Sequence, residues 1–159
     1  MDASRPELTF RLAQSGDFEA VVKLSEGIYD GHDYLPLEFH KWLQRENLAV
    51  LLAYSDDKLV GLLACFVIDE DRTLIRRAER VLAELRGQGL VRQLREFARK
   101  YVRERYPSIQ RERFTTYADL ASSVDRAKLL EYDILSYHRE KKFYSVIVKL
   151  KYPRPISWI

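Results

Sequence analysis

The sequence predicts an α/β domain built on a mixed sheet. Three observations carry that expectation. Strand-like and helix-like stretches alternate along the chain, the clearest helical stripe (Leu90 to Val102) follows directly on a glycine-rich turn, and the chain closes on two adjacent strands. A chain of 159 residues, 47% of them hydrophobic, fits a single domain that buries roughly 70% of its unfolded surface. The expected limits are 1–152 for the domain and 153–159 for an extended tail, because Pro153 and Pro155 oppose a helix there.

The elements follow in order. "LTFRLA" alternates with period two and reads as a strand. "DFEAVVKLSEGIY" places Phe18, Val21, Val22, Ser25 and Ile28 at helical spacing behind Asp17, its expected N-cap. "GHDYLP" interrupts the pattern, and Pro36 opens a short helix in which Phe39, Trp42 and Leu43 share a face. "LAVLLAY" and "KLVGLLACFVI" form a hairpin across Ser55 to Lys58, the second strand being covered on both faces. "TLIRRAERVLAEL" fits helix or strand by pattern, and its composition favours helix. Leu90, Val91, Leu94, Phe97, Ala98, Tyr101 and Val102 form the stripe of the long helix, which Pro107 closes. "RERFTTY" is a strand, Ser122 and Asp125 make a capping box ahead of "VDRAKLLEY", and "ILSYHREKKFYSVIVKL" gives two strands turning at Glu140 to Lys142.

Composition excludes several classes of function. Lys and Arg number 27 against 24 Asp and Glu, a net charge of +3 with the signs mixed along the chain, so nucleic acid is not an expected partner. The basic helix "RQLREFARKYVRER" is interrupted by Glu96 and Glu104, as a solvated face is. No apolar run approaches the ~20 residues of a membrane span, and "MDASRPELTF" lacks the order of a signal peptide. The expectation is a soluble, cytoplasmic protein. Cys65 stands alone within "GLLACFVI", which forbids an internal disulfide and points to a buried, inert thiol. No metal site is expected.

Gly87 and Gly89 stand where a helix starts, although glycine costs about 1 kcal/mol relative to alanine inside one. A helix N-terminus offers unpaired N–H groups and the positive end of a dipole, and glycine lets an anion approach them. A phosphate is the natural ligand. The segment lacks the Lys-Ser/Thr of a P-loop and the third glycine of a dinucleotide fingerprint. What it does contain is an arginine, two residues, a glycine, one residue and then Val91 where glycine or alanine is usual. "RGQGLV" thereby resembles the pyrophosphate loop of the GCN5-related N-acetyltransferases, and the element order resembles that family along nearly the whole chain. The resemblance implies a mostly antiparallel twisted sheet of about seven strands flanked by about four helices, with "TLIRRAERVL" as the strand before the loop. It also implies acetyl-CoA as the cofactor. "LSEGIYDGHDYLPLEFHKWL", with Arg80 and Val81, is similar to the histidine N-acetyltransferase group within that family.

By that resemblance, the backbone N–H groups of Arg86, Gly87, Gln88, Gly89, Leu90 and Val91 bind the pyrophosphate, while Val81 and Leu82 offer edge groups to the pantetheine arm and the acetyl carbonyl. The acceptor is a small-molecule amine, with the α-amine of a free amino acid such as histidine expected, and transfer is direct. Relatives often carry a glutamate where this chain has Arg77. Glu79, two residues on, shares its face if the strand alternates, and is the expected base; the competing reading pairs Glu79 with a neighbouring arginine. Where the family's usual acid stands this chain has Leu129, so Tyr132 is taken as its substitute, with Tyr117 as a second; the competing reading packs both tyrosines in the fold. Asp33, Tyr34, Tyr117 and His138 are assigned to the acceptor, Asp33 for a cationic amine and Tyr34 beside a substrate ring. A monomer or homodimer is expected. Two other readings stay open: an acetyl-CoA-binding module of low activity, and an acetyltransferase of protein N-termini or lysines.

Overall fold

Burial on both faces defines the central strand. From Leu59 to Val67 every residue of β3 (Lys58–Ile68) is buried, and only a strand with layers above and below it has that profile. The computed structural model describes residues 7–117, 134–140 and 143–149, with side chains through residue 114. Around β3 lie β1 (Leu8–Leu12), α1 (Phe18–Leu24), α2 (Leu35–Leu43) and β2 (Leu48–Ser55). Beyond it come β4 (Thr73–Val81), α3 (Leu90–Arg105), β5 (Arg111–Tyr117), β6 (Ile134–Glu140) and β7 (Phe143–Lys149). The strands form one seven-stranded sheet in the order β1-β2-β3-β4-β5-β7-β6. All neighbours are antiparallel except β4 and β5, which α3 connects as a parallel pair.

Consecutive residues of β2 and β3 alternate between two core layers. Leu51, Leu63, Cys65 and Val67 pack with Leu90, Leu94, Ala98 and Val102, one residue from each turn of α3. Val50, Leu52, Leu62, Ala64 and Phe66 pack with Val21, Leu24, Leu35, Phe39 and Trp42 of α1 and α2. Gly61 belongs to the first interface. A Cβ there would stand 2.9 Å from Leu90 Cδ2 and 3.4 Å from the Arg80 carbonyl oxygen, so glycine lets the start of α3 lie directly on β3. Cys65 lies within this layer, and burial pushes its thiol up to about 12, as an inert thiol requires.

The first helix departs from expectation at both ends. It stops at Leu24, and Gly27 turns the chain with φ +72°. The Asp17 carboxylate does not cap α1; it closes the preceding turn by accepting the Gln14 N–H at 2.7 Å, both Arg11 terminal nitrogens at 2.7 and 2.8 Å, and the Tyr54 hydroxyl at 2.8 Å. A buried carboxylate with four donors ties β1, the turn and β2 together, and a simple cap motif underestimates it. The helix expected after Ser122 and the tail 153–159 lie outside the described residues.

The Arg11 hydrogen bonds, acting against burial, hold the Asp17 carboxyl at about 2, below its ordinary 3.8. A depressed carboxyl contributes stability above its unfolded pKa and loses it as pH falls through the folded value. Asp17→Ala is therefore expected to cost about 1–3 kcal/mol at pH 7, with the difference from wild type shrinking between about pH 4 and 2 in urea titrations.

Candidate active site

Strands β4 and β5 pair only at Thr73 with Arg111, Leu74 with Glu112 and Ile75 with Arg113. Beyond Ile75 no ladder joins them among the described residues, and the strands part. Beside this parting, β4 breaks its alternation. Ala78 takes the left-handed conformation with φ 54°, and the β3–β4 register slips between Leu62 and Ala64. An extra residue in one strand turns everything after it to the opposite face. Arg77 and Ala78 both face α1 and α2, Glu79 faces α3, and Arg80 faces α1 and α2 again. The expectation that Glu79 shares the face of Arg77 is thus overturned.

Glu79 belongs to a charged cluster under α3. Its carboxylate accepts Arg95 Nη2 at 2.6 Å, Arg95 Nε at 2.7 Å and Arg76 Nη1 at 3.0 Å. Arg76 also bonds Glu112 on β5 and lies 4.7 Å from the Phe114 ring centroid. Glu112, 0% exposed, accepts Arg99 at 2.8 and 3.2 Å. Burial alone would raise its pKa, but the charges and hydrogen bonds of Arg76 and Arg99 prevail and hold the carboxyl below its ordinary range. Glu79 therefore has neighbouring arginines as its partners and no path to the opposite face.

On the face of α1 and α2, Asp33 accepts Arg80 Nε at 3.1 Å and Arg80 Nη2 at 3.0 Å, together with the Leu35 N–H at 3.1 Å. The Asp33 side chain is 2% exposed. Burial opposes its charge, yet Arg80 outweighs burial and keeps the carboxyl below its ordinary range. Both oxygens are engaged, so Asp33 does not meet a cationic amine directly; it fixes Arg80. The Arg80 guanidinium lies 5.3 Å from the Tyr29 ring and 5.7 Å from the Tyr34 ring, and Tyr34 packs edge-on to Trp42.

The loop after β4 carries the expected glycine geometry. Gly87 has φ +76° and Gly89, the N-cap of α3, has φ +84°, with nothing within 4 Å of a Cβ built on either. Residues 86–89 are exposed, the first turn of α3 holds no acidic residue, and no side chain caps it. This is the chemistry an anionic phosphate group needs. Val91 turns its side chain onto the α3 core, leaving the loop surface clear. Arg86 Nε donates to the Val81 carbonyl at 3.4 Å. Leu82 departs from expectation, since its N–H donates to Val60 at 3.0 Å and its carbonyl accepts the Leu85 N–H at 3.0 Å. Alternation then directs the Val81 N–H the other way, toward the parting.

Tyr117 ends β5 opposite Phe143, and His138 lies on β6 opposite Ser145. Tyr132 lies outside the described residues. The Arg80–Asp33 pair and the Arg76–Glu112–Arg99 cluster escaped the sequence reading. Their signal was present in "IRRAER", four charges in a strand flanked by apolar runs, each of which needs a partner once buried.

Residues 18–129 match the Acetyltransferase (GNAT) family, and the chain belongs to that family. A histidine N-acetyltransferase of Xenopus tropicalis is 39% identical over 109 residues, covering 69% of this chain and 34% of that protein. The chain thus spans about a third of the length of the curated relatives it matches. Among solved structures, the ribosomal-protein-S18-alanine N-acetyltransferase of Escherichia coli has a TM-score of 0.70 at 14% identity, covering 96% of this chain and all of that one. The PaiA N-acetyltransferase of Thermoplasma acidophilum, solved in complex with coenzyme A, has a TM-score of 0.65 at 14% identity, covering 91% and 99%. Both share the fold. Among the described residues, no helix is long and apolar enough to cross a membrane.

Removing one member of a buried ion cluster strands the others. Glu112→Gln is expected to lower stability by about 3–5 kcal/mol, measured by chemical denaturation at pH 7.

Proposed function

We propose that this chain is an acetyl-CoA-dependent N-acetyltransferase acting on the α-amine of a free amino acid, with histidine as the acceptor. The supporting observation is the glycine-built N-terminus of α3 opening beside the parted strands β4 and β5. The choice of histidine rests on the names of the related proteins. Acetyl-CoA supplies the activated thioester. The Arg86 N–H is taken by the Ala83 carbonyl at 3.3 Å, so the N–H groups from Gly87 to Val91 receive the pyrophosphate, with the Arg86 side chain adding charge. The Val81 N–H donates to the acetyl carbonyl and stabilises the oxyanion as it forms.

The acceptor enters on the face of α1 and α2, bounded by Tyr29, Tyr34 and Arg80. Glu79 points to the other face, so its role in this reading is to position Arg95 and Arg76 rather than to take a proton from the amine. The neutral fraction of the α-amine is the one that attacks, and water carries its proton away. Tyr132 is the proposed acid for the departing thiolate, and Tyr117 and His138 are proposed to line the acceptor side.

The decisive assay follows thiol release from acetyl-CoA with free amino acids, simple amines and short peptides. Turnover centred on histidine is expected; coenzyme A binding without turnover on any acceptor would overturn the reading in favour of a binding module. With water as proton acceptor, kcat/KM is expected to rise with pH and level off above the pKa of the acceptor's α-amine, and Glu79→Gln to keep that profile. Gly89→Ala, forced to hold φ +84°, is expected to weaken coenzyme A binding about tenfold in calorimetric titration, on the order of the cost of left-handed backbone.

A further inference from the structure

The bulge at Ala78 has a chemical result on the side away from Glu79. It puts two arginines, three residues apart in the chain, on the face of β4 toward α1 and α2, beside the parted strands. We propose that Arg77 and Arg80 form a carboxylate subsite that holds the acceptor by its α-carboxylate, so that the protein selects free amino acids over amines and peptides. This rests on the acetyltransferase reading for the identity of the acceptor.

Arg80 is the fixed half of the subsite. Its Nε and Nη2 are held by Asp33, and Nη1 donates to the Glu79 carbonyl at 3.1 Å. Of the five N–H groups of a guanidinium, these use three and leave one on each terminal nitrogen for a further acceptor. Tyr29 and Tyr34 stack beside the group and hold its plane. Tyr29 is 46% exposed and stands on a turn in which Tyr29 and Asp30 both take left-handed backbone, with φ 51° and 55°. Such a conformation is costly for non-glycine residues, and it brings the Tyr29 ring beside Arg80.

Arg77 is the open half. It is exposed, and its guanidinium stacks 5.7 Å from the Phe66 ring. No carboxylate of the described residues pairs with it. Asp33 cancels the charge of Arg80, while Arg77 keeps its own and Arg45 lies 5.5 Å from the same Phe66 ring, so this side of the sheet is net positive and favours a carboxylate. Peptide N-termini, histidinamide and histamine all offer the amine but lack the carboxylate beside it.

The test compares histidine, histidinamide and histamine as acceptors for wild type, Arg77→Gln and Arg77→Lys, with Arg80→Lys as a second site. Among the described residues the Arg77 side chain makes no hydrogen bond or ion pair, so Arg77→Gln is expected to keep wild-type stability and coenzyme A affinity. Wild type is expected to favour histidine over both analogues by about tenfold or more in kcat/KM, the value of a charge-assisted hydrogen bond. Arg77→Gln should raise KM for histidine by a similar factor with kcat little changed, leave both analogues unaffected, and be partly rescued by Arg77→Lys. Equal use of histidine and its analogues by wild type, or an unchanged KM in Arg77→Gln, overturns the subsite. If no amine turns over, the acetyltransferase reading fails separately. Calorimetric titration of the coenzyme A complex with N-acetylhistidine and N-acetylhistamine then decides: tighter binding of the former, lost in Arg77→Gln, supports the subsite, and equal or absent binding overturns it.

Discussion

Ala78 holds a backbone conformation that alanine rarely adopts, and the division of labour along β4 depends on it. With regular alternation, Arg77 and Glu79 would share a face and Arg76 would share the other with Arg80. The single extra residue instead assigns Glu79 and Arg76 to α3, and Arg77 and Arg80 to α1 and α2. One dihedral angle separates a carboxylate-bearing face from a cationic one. A left-handed non-glycine residue costs on the order of 1 kcal/mol, and what it sets is which charges meet.

Charges in a central strand need partners at close range, because isolated burial is prohibitive. On the α3 side, Glu112 and Glu79 are shared among Arg76, Arg95 and Arg99, which brackets the junction of β4, β5 and α3. On the other side, Asp33 comes from the loop before α2 and locks Arg80 to it. Ion pairs buried this way contribute little net stability compared with apolar packing. They are directional, however, and fix which strands meet and at what register.

Periodicity made most of the framework legible. The i, i+4 stripe of α3, the twin apolar runs of β2 and β3, Pro36 at the start of α2 and the loop glycines all lie where local pattern places them. For β4, composition favoured helix and the resemblance to a known family favoured strand; the ladders on both sides make it a strand, because tertiary pairing outweighs propensity. What pattern could not disclose was the bulge. Alanine carries no left-handed signature, and one undetected extra residue reverses every later face assignment, Glu79 among them. Asp33 and Asp17 escaped for a related reason: their partners lie 47 and 6 residues away, and sequence spacing says nothing about a long-range guanidinium.

The three paired positions between β4 and β5 also divide the molecule mechanically. β5 pairs with β7 along its whole length, and β1 to β4 form a continuous antiparallel block. Among the described residues, the links between the two units across the sheet gather at this end: the short parallel seam, the Arg72 carbonyl bonded by the Gln110 and Arg111 N–H groups, the Arg111–Asp69 ion pair and the Glu112 cluster. Such a seam is where a native protein opens first, so amide protons of β5 to β7 should exchange through a sub-global opening that leaves the N-terminal block folded. A ligand lying in the parting touches both units at once and couples their unfolding, making the protein more cooperative when loaded than when empty.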